Sequence, residues 1–146
     1  MLMRRTLLLG GAGAVLVAAG VGYRLVYPTY AGAEMDAPTA FHRSEAGELL
    51  LIDIRRPDEW AATGSAKGAH RLDLRRSDFF EALSGLANGA KGRPIALICA
   101  KGVRSARLAN QLTDQGFTNI INVTEGMLGS AAGPGWVARG LPVVMD

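Results

Sequence analysis

Ile95-Ala96-Leu97-Ile98-Cys99-Ala100-Lys101-Gly102-Val103-Arg104-Ser105 is the stretch on which the reading of this chain turns. Four apolar residues in a row predict a short strand buried on both faces. The run breaks at Cys99 into a loop holding a glycine and two cations. Val103 to Gln115 then has helix composition, with Leu108 and Leu112 four apart on one face and Gly116 placed to end it.

The same alternation extends outward from that stretch. Leu49 to Ile52 is a second apolar run, ending at Asp53, and Pro57-Asp58-Glu59-Trp60 after it suits a helix start. His70 to Leu74 is a short strand candidate, Ser77-Asp78 can cap a helix through Phe79, Phe80, Leu83 and Leu86, and Asn119 to Val123 supplies a further strand. Apolar strands alternating with helices predict an α/β fold, a mostly parallel sheet covered by helices on both faces. Ligands of such sheets collect at the carboxyl ends of the strands. Asp53 and Cys99 both fall at such ends.

Composition narrows the function classes. Hydrophobic residues make up 49% of the 146, enough for one domain with a real core. Of the 16 Lys and Arg, three (Arg4, Arg5 and Arg24) lie in residues 1–33, and the 13 beyond them balance 13 Asp and Glu. The formal +3 therefore belongs to the N-terminal segment, which argues against a nucleic-acid face. A single cysteine excludes an internal disulfide framework, and with His42 and His70 it forms no metal-ligand spacing. Neither a metal nor a cofactor is called for.

Residues 1–33 read as an address. Arg4-Arg5-Thr6-Leu7-Leu8 is similar to a twin-arginine export signal, Thr6 to Tyr23 is apolar and uncharged, and Ala31-Gly32-Ala33 offers small residues for cleavage. The alternative is an uncleaved inner-membrane anchor over residues 6–23, about 27 Å long as a helix against a ~30 Å hydrocarbon core. Either places residues 34–146 outside the cytoplasm, on the periplasmic side, touching the membrane only through the N-terminal segment. The basic pair on the near side agrees with the positive-inside tendency.

The Cys99 loop carries the chemistry. The thiolate is the attacking species, and free cysteine has a pKa of about 8.5, so a nucleophilic thiol needs a stabilised anion. A helix N-terminus offers unpaired N–H groups, and a tight loop can gather successive amides around one point. Gly102 permits such a curl, while Lys101 and Arg104 add charge at the rim. The competing reading is a buried structural cysteine behaving as a small hydrophobe.

With these residues assembled, a family resemblance becomes visible. Asp53-Ile54-Arg55-Arg56-Pro57-Asp58-Glu59-Trp60 resembles the Asp-x-Arg-x-Pro-x-Glu-aromatic signature of rhodanese domains. Gly68-Ala69-His70-Arg71-Leu72, the loop Cys99 to Ser105, Glu125-Gly126, Trp136 and Gly140-Leu141-Pro142-Val143 resemble the family's remaining motifs, in order, over about residues 38–144. The resemblance implies a sheet of about five strands and a sulfurtransferase. Cys99 would take sulfane sulfur from a small anion such as thiosulfate and yield it to cyanide, a thiol or a protein acceptor. It implies Arg104, Lys101, Gly102 and Arg55 as substrate-binding residues, with Asp53 and Ser105 in support. For Asp53 and Arg55 a structural ion pair is the alternative.

This chain departs from the family pattern in places. Gly64-Ser65-Ala66 stands where a Gly-His-Ile is common, Gly126-Met127 replaces a Gly-Gly pair, and Gly129 to Gly135 is longer than usual. Ala100 stands where thiosulfate-using members often carry Arg. Rival readings are a Cys-dependent phosphatase or arsenate reductase, whose loops place five residues between Cys and Arg rather than the four here, and a thiol-based redox-sensing or sulfur-binding module without turnover.

Overall fold

The computed structural model describes residues 20–23 and 26–145. The export reading of residues 1–33, and the anchor alternative over residues 6–23, therefore lie largely outside the described residues. No helix among the described residues is long and apolar enough to cross a membrane.

The elements run β1 (Ala33–Met35), α1 (Ala37–Glu45), β2 (Leu50–Asp53), α2 (Pro57–Thr63), β3 (Ser65–Ala66), β4 (His70–Arg71), α3 (Phe79–Leu86), β5 (Ile95–Ile98), α4 (Val103–Asp114), β6 (Ile120–Val123) and β7 (Val143–Val144). The main sheet has five strands in the order β1-β6-β5-β2-β4, every pair parallel. β3 and β7 make a small antiparallel pair at one side.

Each central strand is buried on both faces, and its alternate residues feed two cores. Leu50, Ile52, Ile95, Leu97 and Ile120 pack under α3 and α4 against Phe79, Leu83, Leu108 and Leu112. Leu51, Ala96, Ile98, Ile121 and Val123 pack on the opposite face against Ala37 and Ala40 of α1, with Met127 and Trp136. Helices thus cover both faces, and continuous apolar strands are the consequence. Cys99 keeps the phase of Ile95 and Leu97, so its side chain joins the α4 side of the core.

Three local expectations are corrected. The His70–Leu74 strand shrinks to His70–Arg71, paired with Ile52 and Asp53, although the Leu72 and Leu74 amides still donate to the Asp53 and Ile54 carbonyls at 3.0 and 3.3 Å. Asp78 caps α3 by position alone, since its carboxylate is held by Arg76 at 2.6 Å instead. The division drawn between residues 33 and 34 cuts through β1, where Ala33 pairs with Ile121. The Tyr30 hydroxyl also donates to the Ile120 carbonyl at 2.8 Å, and Asn110 Nδ2 to the Thr29 carbonyl at 3.0 Å. α1 was not anticipated, although Asp36 followed by Pro38 signals its start and the Thr39 amide donates to Asp36 Oδ1 at 2.8 Å.

Candidate active site

The site forms where β5 ends and α4 begins. Between them the chain reverses within a few residues, and Gly102 makes this possible at φ 81°. A side chain there would suffer the left-handed backbone and also meet the carbonyl oxygen of Thr124. The Gly102 N–H donates to Cys99 Sγ at 3.2 Å, and Ser105 Oγ lies 3.4 Å from the same sulfur. Ser105 Oγ–H is also placed to donate to the Gly102 carbonyl at 3.1 Å. Either atom of the Cys99–Ser105 contact can be the donor, so the hydroxyl can serve a thiol or a thiolate.

The loop is clasped from behind. Met127 N–H donates to the Cys99 carbonyl and Leu128 N–H to the Ala100 carbonyl, both at 2.8 Å. Gly126 brings that turn close at φ 64°, and a Cβ there would fall 2.8 Å from the Cys99 oxygen. Glu125, fully buried, holds the turn by accepting from the Ala37 and Gly135 amides and Arg139 Nε, each at 2.8 Å. Burial pushes the Glu125 carboxyl up, but Arg139 and the two amides outweigh it and hold it below the usual carboxylate range.

With its carbonyls clasped, the loop leaves N–H groups over. Those of Ala100, Lys101, Val103, Arg104 and Ser105 donate to no acceptor among the described residues. Cys99 itself is 1% exposed. Its sulfur therefore sits inside the loop rather than on the surface, with one amide already on it and a helix N-terminus beside it. Such an arrangement can hold negative charge on a sulfur atom.

The cations divide sharply. Lys101 is exposed at the rim. Arg104 makes a forked pair with Glu59, Nη1 to Oε2 at 2.8 Å and Nη2 to Oε1 at 2.6 Å. The hydrogen bonds to Glu59 raise the Arg104 pKa above its ordinary value, against the opposing effect of burial. Arg104 in turn holds the Glu59 carboxyl below its usual range.

Arg55, which the resemblance implied as substrate-binding, lies inside the fold. It is 1% exposed, and all five of its N–H donors are committed: Nε and Nη2 to Asp53, Nη2 also to the Gly64 carbonyl, and Nη1 to Thr63 Oγ1 and the Glu59 carbonyl. Asp53, wholly buried, also accepts from Ser65 Oγ at 3.0 Å. The pair ties β2 to α2 and β3. The ion-pair alternative is the one that this geometry matches.

Sequence reasoning missed Glu59 as the partner of Arg104, for 45 residues separate them and no local spacing announces the pair. It also left Glu125 without a role, although the acid before Gly126 stood in a recognised motif.

The main sheet is parallel, and its cysteine lies buried in the loop that joins a central strand to a helix. The family model for the rhodanese-like domain matches residues 38–132, and the chain belongs to that family. A sulfurtransferase of Allochromatium vinosum is 27% identical over 117 residues, covering 76% of this chain and 94% of that protein. Among solved structures, a rhodanese-related protein of Thermoplasma volcanium superposes with TM-score 0.60 at 25% identity, over 79% of this chain and 100% of that one. The polysulfide-sulfur transferase of Wolinella succinogenes shares the fold with TM-score 0.57 at 22% identity, over 90% and 88%. Family and relatives together support a sulfur-transfer function.

Proposed function

We propose that the protein is a sulfurtransferase that carries sulfane sulfur as a persulfide on Cys99, taking it from an anionic donor such as thiosulfate and passing it to cyanide or a thiol. The observation that carries this reading is the Gly102 N–H on Cys99 Sγ at 3.2 Å, in a loop whose neighbouring amides lack protein acceptors. In the first half-reaction the Cys99 thiolate attacks the outer sulfur of the donor. With thiosulfate, the S–S bond breaks, sulfite leaves with the electron pair, and the negative charge passes to the new terminal sulfur. The loop amides then hold that charge. In the second half-reaction the acceptor attacks the terminal sulfur, and the Cys99 thiolate is restored. No second cysteine is required, which suits a chain that has one.

In this reading Ser105 and Gly102 hold the sulfur, Arg104 and Lys101 supply positive charge at the rim, and Asp53 with Arg55 keeps the neighbouring strand end in place. Residues 1–33 would deliver the domain to the periplasmic side, cleaved or as an anchor. Support for that placement comes from the basic, apolar and small-residue order of the segment.

The test is thiocyanate formation from cyanide and a sulfane donor, run beside phosphate release from an aryl phosphate. Wild type should form thiocyanate and Cys99→Ser should not. Phosphate release without sulfur transfer overturns the reading in favour of the phosphatase alternative.

A further inference from the structure

The segment that leads into β1 is part of the domain. Ala33 pairs with Ile121, the Tyr30 hydroxyl donates to the Ile120 carbonyl at 2.8 Å, and Asn110 Nδ2 donates to the Thr29 carbonyl at 3.0 Å. Tyr30 also packs against the core under α4. A cut after Ala31-Gly32-Ala33 would remove all of these contacts. A discarded leader leaves a finished fold behind it, whereas these residues are tied into the sheet and are poor ground for a protease.

Ahead of this strap the chain is apolar and turned toward its surroundings. Residues 20–23 are helical, and the Tyr27 amide donates to the Tyr23 carbonyl, four residues back, at 2.8 Å. Val21, Tyr23, Val26 and Tyr27 are 56%, 65%, 57% and 49% exposed, and the two tyrosine rings lie 4.9 Å apart. Such a cluster suits the headgroup layer of a bilayer, where tyrosine buries its ring and keeps its hydroxyl wet. A helix from Thr6 to Tyr27 has 22 residues and one charge, Arg24, near its end. At about 33 Å it crosses a ~30 Å hydrocarbon core, which the run from Thr6 to Tyr23 alone does not.

The strap also sets which way the domain faces. Ile95 and Ile120 are in register in parallel strands, so they share one end of the sheet, and Tyr30 is bonded there. Cys99 follows Ile95 by four residues, ~13 Å along the strand, at the opposite end.

We propose that residues 6–27 are retained as a bilayer anchor, and that the strap of residues 28–33 holds the domain with the amino ends of its strands toward the lipid and Cys99 away from it. This rests on the export reading of residues 1–33 and chooses between the two routes left open there. Donor and acceptor then reach Cys99 from the aqueous side, which admits small anions, thiols or a soluble protein and excludes a partner dissolved in the lipid.

The experiment expresses the full chain in a bacterium and separates its compartments. The chain should carry its full-length mass, resist an alkaline carbonate wash and leave the membrane only with detergent. A soluble periplasmic chain beginning near Glu34 overturns the anchor and leaves export standing. An uncut chain soluble in the cytoplasm overturns the export reading and the anchor with it. Facing is read on the purified full chain in vesicles of phosphatidylcholine and phosphatidylglycerol that carry a nickel-chelating lipid. In a Cys99→Ser background, Asn119→Cys and Lys101→Cys each take one spin label, at exposed positions on opposite ends of the sheet. Thr118→Cys, also exposed, serves if Asn119→Cys folds poorly. Lipid-bound nickel should relax the label at the Asn119 end several-fold more strongly than the label at position 101, and equal or reversed relaxation overturns the orientation. None of these readouts involves sulfur loading, so their failure is distinct from failure of the Cys99 chemistry.

Discussion

Removing the Arg55 side chain tests whether that residue is a brace or a ligand for the donor. In Arg55→Ala the Asp53 carboxylate stays buried, with Ser65 Oγ and the residue 55 amide as its remaining donors. The Gly64 and Glu59 carbonyls and Thr63 Oγ1 each lose the guanidinium as well. Breaking a buried ion pair from one side costs about 3–5 kcal/mol, because an uncompensated charge remains. For a domain of this size that corresponds to a fall in Tm of ~10–30 °C. Circular-dichroism melts and urea titrations at neutral pH measure it. Replacing both partners, as Asp53→Leu/Arg55→Met, should cost less than the two single changes added together. A Tm loss under ~3 °C, coupled to a large rise in donor KM, would refute the brace and return Arg55 to the substrate.

Other consequences are separable by simple measurements. Gly102→Ala forces a Cβ onto a left-handed residue, at about 1–2 kcal/mol, and against the Thr124 carbonyl. Sulfur transfer should fall roughly 100-fold or more as the amide leaves Sγ, while the melt shows a drop of only several degrees. Glu125 is held below its ordinary pKa in the fold, so its stabilisation is complete above the unfolded value, about 4.3, and is lost as pH falls through the folded one. The Tm of wild type should therefore drop more steeply between pH 5 and about 3 than that of Glu125→Gln, as melts across that range will show. A chain starting at Glu34 lacks the Tyr30–Ile120 and Thr29–Asn110 hydrogen bonds and the first residue of β1. Urea titration should find it about 1–3 kcal/mol less stable than one starting at Pro28.

The parts of the fold that were legible are those whose signal is local. Leu49–Ile52 and Ile95–Ile98 read as strands because burial on both faces demands unbroken apolar runs, and α4 because Leu108, Leu112 and Gly116 mark its face and its end. Cys99 and Gly102 stood out for the same reason, since a thiol and a left-handed hinge at a strand end are both properties of a few adjacent residues. β1 was hidden because its Ala-Glu-Met is set by pairing with β6 rather than by pattern. The partners of the cations were hidden too. Arg104–Glu59 and Arg139–Glu125 join residues far apart in the chain, and only the folded arrangement decides which carboxylate meets which guanidinium. Arg55 differs, for its partner Asp53 lies two residues away and their ion pair was already one of the two readings.

The account rests most directly on whether residue 99 accepts a sulfur atom. Intact mass of the purified full chain, after exposure to a sulfane donor and removal of excess, decides it. The prediction is a gain of about 32 Da that maps to Cys99, disappears on adding cyanide, and never forms in Cys99→Ser. A chain whose mass stays unchanged with every donor, or that gains about 16 Da as a sulfenic acid instead, would contradict it.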